Sequence, residues 1–414
     1  MFKVIMGYKA KKITSAIACF LLVSTGSTSA LAQQFDDAAS VQFGGFEVIP
    51  TVDIGVKFDD NVSQLASDEI SSWSRIVSPQ VSMISSLGAS QVDFGYRIKN
   101  EDFFSSKEDN YTDHFLTAGA DVELSARHRV NARLDFEDGH DARGSGFSIG
   151  NGDLINEPDQ YKQTQLDFLY SYGAFNSQGR IDVNFNVRTL DYDVSTPEYL
   201  VRDRRISRIG GTYYHRIGAT TDLTFDIIRE TVSYKTPAVS TNPLDSRNMS
   251  YLVGLSWEAT ANTSGFAKVG YQEKRFDSAL RDDFDGFDWA AGVRWEPVEY
   301  ASVEIRTSAD TNETNGEGNF IRGRTHTAVW RHEWLDRVRS RAAVVWNNNR
   351  YEGQLIDGLS IRSDDNLGFR ASVYYQFRRW INFEVGYRFD ERDSNRNEID
   401  FDRNQFIFNA LVTL

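Results

Sequence analysis

The sequence predicts an all-β chain: a transmembrane antiparallel β-barrel of the outer membrane, closed by about eighteen strands. Three observations predict it. From Thr51 to Leu414 apolar and polar residues alternate over many short segments, as where Ile381, Phe383, Val385, Tyr387 and Phe389 interleave with Asn382, Glu384, Gly386 and Arg388. A period of two gives each strand one apolar and one polar face. The apolar rows are rich in aromatics while the opposite face carries many full charges, which fits lipid outside and water inside. Finally, the connections alternate between long polar stretches and very short turns, the pattern of outer loops and periplasmic turns.

The strands follow in order. Val52, Ile54, Val56 and Phe58 form the apolar row of the first; Val77, Val81 and Met83 mark the second; Val92, Phe94, Tyr96 and Ile98 the third. Leu116 to Leu124, Val130 to Phe136, Leu166 to Tyr172 and Ile181 to Val187 give the fourth to seventh. The eighth, around Arg205 to Arg216, has an ambiguous pattern. Leu223 to Ile227, Tyr251 to Trp257, Ala267 to Tyr271, Phe287 to Trp295 and Ala301 to Ile305 continue the series. Thr325 to Trp334, Val338 to Trp346, Leu367 to Phe377, Ile381 to Phe389 and Phe406 to Leu414 bring the total to eighteen.

Short turns are expected near Leu87-Gly88-Ala89, Ser125-Ala126-Arg127, Ile217-Gly218-Ala219, Glu296-Pro297-Val298, Trp334-Leu335-Asp336 and Arg378-Arg379, each after an even-numbered strand. Long polar loops, such as Glu137 to Gln160, Tyr192 to Arg204, Ser233 to Arg247 and Asn347 to Ser363, each follow an odd one. An even count places both termini in the periplasm. A soluble β-sandwich is the competing architecture, but sandwiches rarely sustain so many charges on one strand face.

The N-terminus reads as an export signal over residues 1–32. Lys3, Lys9, Lys11 and Lys12 precede an apolar run from Ile13 to Val23, and Ala30-Leu31-Ala32 resembles a cleavage site. Ala16-Ile17-Ala18-Cys19 loosely resembles a lipobox, but too little apolar sequence precedes it. Cleavage after Ala32 removes Cys19, the one cysteine, so no disulfide framework is available. Residues 33–50 read as a periplasmic lead and 51–414 as the barrel.

The chain has 45 basic and 59 acidic residues, and losing the signal's four lysines leaves 41 against 59. That acidity argues against a nucleic-acid partner and against docking on an anionic surface. No stretch after the signal approaches the roughly 20 apolar residues of a membrane helix.

Catalytic signatures are absent: no G-x-S-x-G, Walker A or paired-cysteine motif occurs. The six histidines, His114, His128, His140, His215, His326 and His332, lack ligand spacing, so no metal site and no cofactor are expected. Arg281-Asp282-Asp283-Phe284-Asp285-Gly286 has the carboxylate density of a calcium loop but lacks a distal glutamate.

The polar faces supply the candidate functional residues: Arg97, Arg188, Arg294, Arg306, Arg370, Arg388, Asp182, Glu304 and Glu384 are predicted to line the lumen. Mixed charges on facing strands can brace a wall; the same groups offer hydrogen bonds to a hydrated solute. Tyr374 also points inward on this pattern and could stack on carbohydrate, whereas Tyr170, Tyr172, Trp257, Trp295, Trp346, Trp380 and Tyr387 fit interfacial girdles.

Several short segments resemble the putative β-barrel porin 2 family. They are Phe58-Asp59-Asp60-Asn61-Val62, Arg75-Ile76-Val77-Ser78-Pro79, Gly270-Tyr271-Gln272, Phe284-Asp285-Gly286-Phe287 and Trp295-Glu296-Pro297. Near the end come Arg379-Trp380, Tyr387, Glu391-Arg392-Asp393-Ser394 and Phe401-Asp402-Arg403-Asn404. Each is short; their order and spacing carry the likeness. Leu414 departs from the terminal aromatic usual in signals read by the barrel-assembly machinery. The resemblance implies a barrel associated with exopolysaccharide or capsule export, with outer-membrane lipid, the polymer, a periplasmic polysaccharide export protein and a co-polymerase as partners. It implies no catalytic residues. The expectation is therefore a non-enzymatic passage for a secreted polysaccharide, with a diffusion porin and a barrel enzyme using His140 or His332 as the alternatives.

Overall fold

The computed structural model describes residues 40–193, 202–235, 243–260, 262–353 and 360–413. The stretch read as an export signal, residues 33–39, Ala261, Leu414 and parts of three outer loops lie outside the described residues. The first segment is a short strand, β1 (Val41–Phe43), that turns through Gly44 and Gly45 onto β2 (Phe46–Asp59). Gly44 has φ +59, which a glycine adopts without steric cost in so tight a turn.

The barrel then runs through β3 (Ser72–Leu87), β4 (Ser90–Phe103), β5 (Tyr111–Ser125), β6 (His128–Asp141), β7 (Asp159–Tyr172) and β8 (Gly179–Tyr192). It continues with β9 (Arg204–Arg216), β10 (Thr221–Tyr234), β11 (Ser246–Thr260), β12 (Thr263–Phe276), β13 (Phe284–Val298) and β14 (Ala301–Glu313). The last strands are β15 (Phe320–Leu335), β16 (Val338–Glu352), β17 (Ser363–Arg378), β18 (Ile381–Ser394) and β19 (Phe401–Thr413). Each pairs antiparallel with the next, and β19 closes on β2 from Gln405 opposite Asp59 to Thr413 opposite Thr51. The eighteen strands β2–β19 thus form a closed barrel, the β-architecture that leaves no unpaired edge in lipid.

Two boundaries differ from expectation. The first barrel strand starts at Phe46, inside the stretch read as lead, because Glu47 to Pro50 already pair with β3. The turn expected at Glu296-Pro297-Val298 lies further on, at Glu299 and Tyr300. Pro297 falls where the β13–β14 register shifts, a place that tolerates its missing N–H.

The apolar rows face outward and remain exposed: Ile54, Val253, Val385 and Phe408 are all at least 44 % accessible. Lipid covers this surface in place. Phe408 lies opposite both Val385 and Val56 in the closing seam. Phe408→Arg is expected to destabilise the folded barrel by about 2–4 kcal/mol at the bilayer midplane, whereas Thr327→Arg on the lumen face is tolerated. Urea unfolding in lipid vesicles measures both.

Aromatic girdles appear at both ends of the rows, and they absorb most of the histidines. His332 sits 4.1 Å from the Trp334 ring and 5.4 Å from that of Tyr300, and His326 stacks 5.0 Å from Trp346. His114 bonds the Tyr96 hydroxyl at 2.9 Å, and His128 that of Tyr170 at 2.7 Å.

Candidate permeation pathway

The polar rows turn inward, and the strand register fixes which inward groups meet. Arg97 stacks over the Phe115 ring at 4.2 Å. Asp182 lies 3.8 Å from Arg180, Arg294 pairs with Glu296 at 2.7 Å, and Arg306 with Glu304 at 2.5 Å. Arg388 donates to Asp390 at 3.1 Å. Tyr374 stands directly opposite Glu384, which accepts a long bond from Asn409 at 3.5 Å. Arg188 and Arg370 make no hydrogen bond or ion pair among the described residues. The ten predicted positions are therefore spread around the wall on the face away from lipid, not gathered into one site.

Toward the outer end, inward groups fill one side of the barrel. Lys274 on β12 pairs with Glu313 on β14 at 2.7 Å, and Glu313 also accepts from the Tyr234 hydroxyl on β10 at 2.8 Å. Glu230 accepts from Arg208 and Asn248 at 2.6 and 2.7 Å. Lys274 and Glu313 are almost fully buried, so this paired cluster closes off the corner between β9 and β14. Nearer the turns part of the wall stays wet: the side chains of Arg306, Arg133 and Arg294 are 60, 48 and 47 % exposed, whereas Arg180 and Asp182 are buried.

The outer mouth is shaped by the connection between β6 and β7, residues 142–158. Its first half packs on neighbouring loops, while Leu154 stays exposed. Arg143, 6 % exposed, clamps Asp109 of the β4–β5 loop through Nε at 2.8 Å and Nη2 at 2.6 Å, and also donates to Ser106. These bonds push the Arg143 guanidinium above its ordinary value. Gly144 (φ +77) packs so closely on the Ser63 carbonyl of the first loop that any Cβ would overlap it. A Cβ on Gly150 would likewise press on Ile399 of the last loop. On the far side, Phe147 lies under Arg202 at 3.5 Å, and Asn315, between β14 and β15, donates to the Gly146 carbonyl at 3.4 Å. The β14–β15 connection is eight strands away from β6–β7, so residues 142–158 bridge the mouth.

Other loop groups complete the layer. Glu317 accepts from Arg396 at 2.8 Å and lies 3.6 Å from Arg362, which chelates Asp364. The sequence marked 137–160 as a polar outer loop but carried no sign of its direction; the glycines around Ser145 were the available hint.

The remaining candidates are placed as follows. His140 bonds Asp113 at 2.8 Å and lies against the Tyr111 ring at 3.8 Å, where β5 and β6 part at the outer end. His332 is in the girdle, away from the lumen. The acidic run after Arg281 is divided: Asp283 accepts from the Phe276 backbone N–H, and Asp285 pairs with Arg275 at 2.6 Å. Among the described residues no three His, Cys, Asp or Glu side chains converge on a common point.

A closed eighteen-stranded barrel with an apolar exterior, a charged interior and loops over one mouth defines the class of porin-like outer-membrane barrels. The chain belongs to the putative beta-barrel porin 2 family, whose model matches residues 36–413. A search of curated proteins returns no match. Solved structures resembling it include OpdL of Pseudomonas aeruginosa, at 11 % identity and TM-score 0.44, with 90 % of this chain and 100 % of that one covered. Another is OccAB4 of Acinetobacter baumannii, at 7 % identity and TM-score 0.44, covering 90 % and 99 %. The FrpB iron transporter of Neisseria meningitidis aligns at 12 % identity and TM-score 0.43 over 83 % of this chain and only 62 % of its own length.

Proposed function

We propose that this chain is an outer-membrane diffusion porin, a passive aqueous route for small hydrophilic solutes. A solvated, charge-lined lumen carries this reading. Barrels of about 16–18 strands leave a channel wide enough for water and solutes, and here Arg133, Arg294 and Arg306 stay wet toward the periplasmic end. The packed loop layer at the outer mouth suits small solutes better than a polymer chain. The family description supports a pore, and no feature of the wall singles out a polysaccharide, so the export reading has no observation of its own. Chemistry is not required of the wall: His140 is held by Asp113 and Tyr111, and His332 faces the girdle. The proposal includes export through residues 1–32, assembly by the barrel-assembly machinery, and outer-membrane lipid as the surrounding partner.

Planar bilayers and liposome swelling test it together. Stable conductance and swelling with small sugars that falls off with sugar size are expected. A folded barrel that neither conducts nor admits any sugar overturns the proposal. Loss of secreted polysaccharide in a deletion strain, with solute uptake unchanged, would replace it by the export reading.

A further inference from the structure

The register places two pairs of arginines directly opposite each other on the lumen face. Arg331 on β15 faces Arg341 on β16, and Arg370 on β17 faces Arg388 on β18. The pairs adjoin, because Arg341 lies opposite Ser372, two residues along β17 from Arg370. Like charges directly opposite are unfavourable in a sheet, and a wall built only for strength would alternate them with carboxylates. The local carboxylates do not balance this group. Glu304 reaches Arg331 at 3.7 Å but is already held by Arg306 at 2.5 Å. Asp390 serves Arg388. Arg341 and Arg370 have no hydrogen bond or ion pair among the described residues, and both are exposed to the lumen.

We propose that these four arginines form an oxyanion-binding station in the pore, for a solute carrying carboxylate or phosphate. Guanidinium forks match both groups bidentately, and an arriving anion relieves the mutual repulsion of the arginines. The station rests on the pore reading for solute access, but its binding chemistry can be measured without conduction.

The full chain, folded in detergent, is titrated calorimetrically with inorganic phosphate and separately with citrate. Saturable heat with at least one anion is expected, and which one responds identifies the chemistry. In the Arg341→Gln/Arg370→Gln variant the affinity should fall roughly tenfold or more, since two charge-assisted contacts are lost. That variant should also resist unfolding at least as well as the parent, because it removes repulsion and breaks no pair. Absence of saturable heat with both anions, unchanged affinity in the variant, or a clear loss of stability would each overturn the station. Planar-bilayer conductance separates the two ideas. A conducting barrel that binds no anion removes only the station, and an anion-binding barrel that never conducts removes only the pore.

Discussion

Replacing residues 144–156 with a short Gly-Ser link is expected to raise single-channel conductance several-fold and admit larger sugars. The segment bridges the mouth, from Ser63 and Ile399 on one side to Asn315 and Arg202 on the other. Ionic current through a water-filled barrel is limited by its narrowest section, and a segment packed across the mouth narrows the path there. The strand ladders do not run through this segment; β6 and β7 pair with each other from His128–Tyr172 to Asp141–Asp159. The barrel should therefore fold and migrate as a heat-modifiable band much as before. Arg143→Ala is the graded version. It frees the clamp on Asp109 without shortening the chain, so the loop loosens and current fluctuations increase before the mean conductance does. Unchanged conductance and unchanged sugar exclusion in the shortened protein would show that the constriction lies elsewhere.

The strand count and facing were legible in the sequence because alternation is a local property. Each row, such as Phe406, Phe408 and Ala410, declares its own faces. Even the ambiguous segment around Arg205 to Arg216 pairs on both sides, since β8 and β10 supply the ladders. Loop direction was not legible, because polar residues suit a loop whether it stands in solvent or folds over a wet mouth. Burial of Arg143 depends on Asp109, thirty-four residues earlier, which no local pattern reports. The opposed arginines were hidden for a similar reason. Arg331, Arg341, Arg370 and Arg388 sit on four strands, and which of them meet depends on register, set by the turns at Asp336-Arg337 and Arg379-Trp380. The histidines show the converse. Lacking any ligand spacing, they offered only His140 and His332 as residues of an alternative barrel enzyme, whereas the fold seats several of them among the ring side chains of the girdles.

The second large effect is expected at the seam, where two of the segments that carry the family resemblance meet. Arg403 on β19 holds Asp59 on β2 through Nε at 2.9 Å and Nη2 at 2.5 Å, and Gln405 adds a bond at 2.6 Å. Beside them Asn404 bonds Asp60 through its backbone N–H at 2.6 Å and its side chain at 2.8 Å, and Asn61 donates to the Asp402 carbonyl at 3.0 Å. Asp59 is wholly buried, and Lys57 links it at 3.6 Å to a further buried carboxylate, Glu101. Removing Arg403 leaves the buried Asp59 with Gln405 and the more distant Lys57 alone, and breaking such a buried pair costs up to about 3–5 kcal/mol. Arg403→Met should therefore strongly lower the unfolding midpoint in urea and the temperature at which the folded band is lost. Asp59→Asn with Arg403→Met should recover much of that loss, because the buried charge goes with its partner. A single variant as stable as the parent would show that the backbone ladder alone, from Gln405–Asp59 to Thr413–Thr51, is enough to close the barrel.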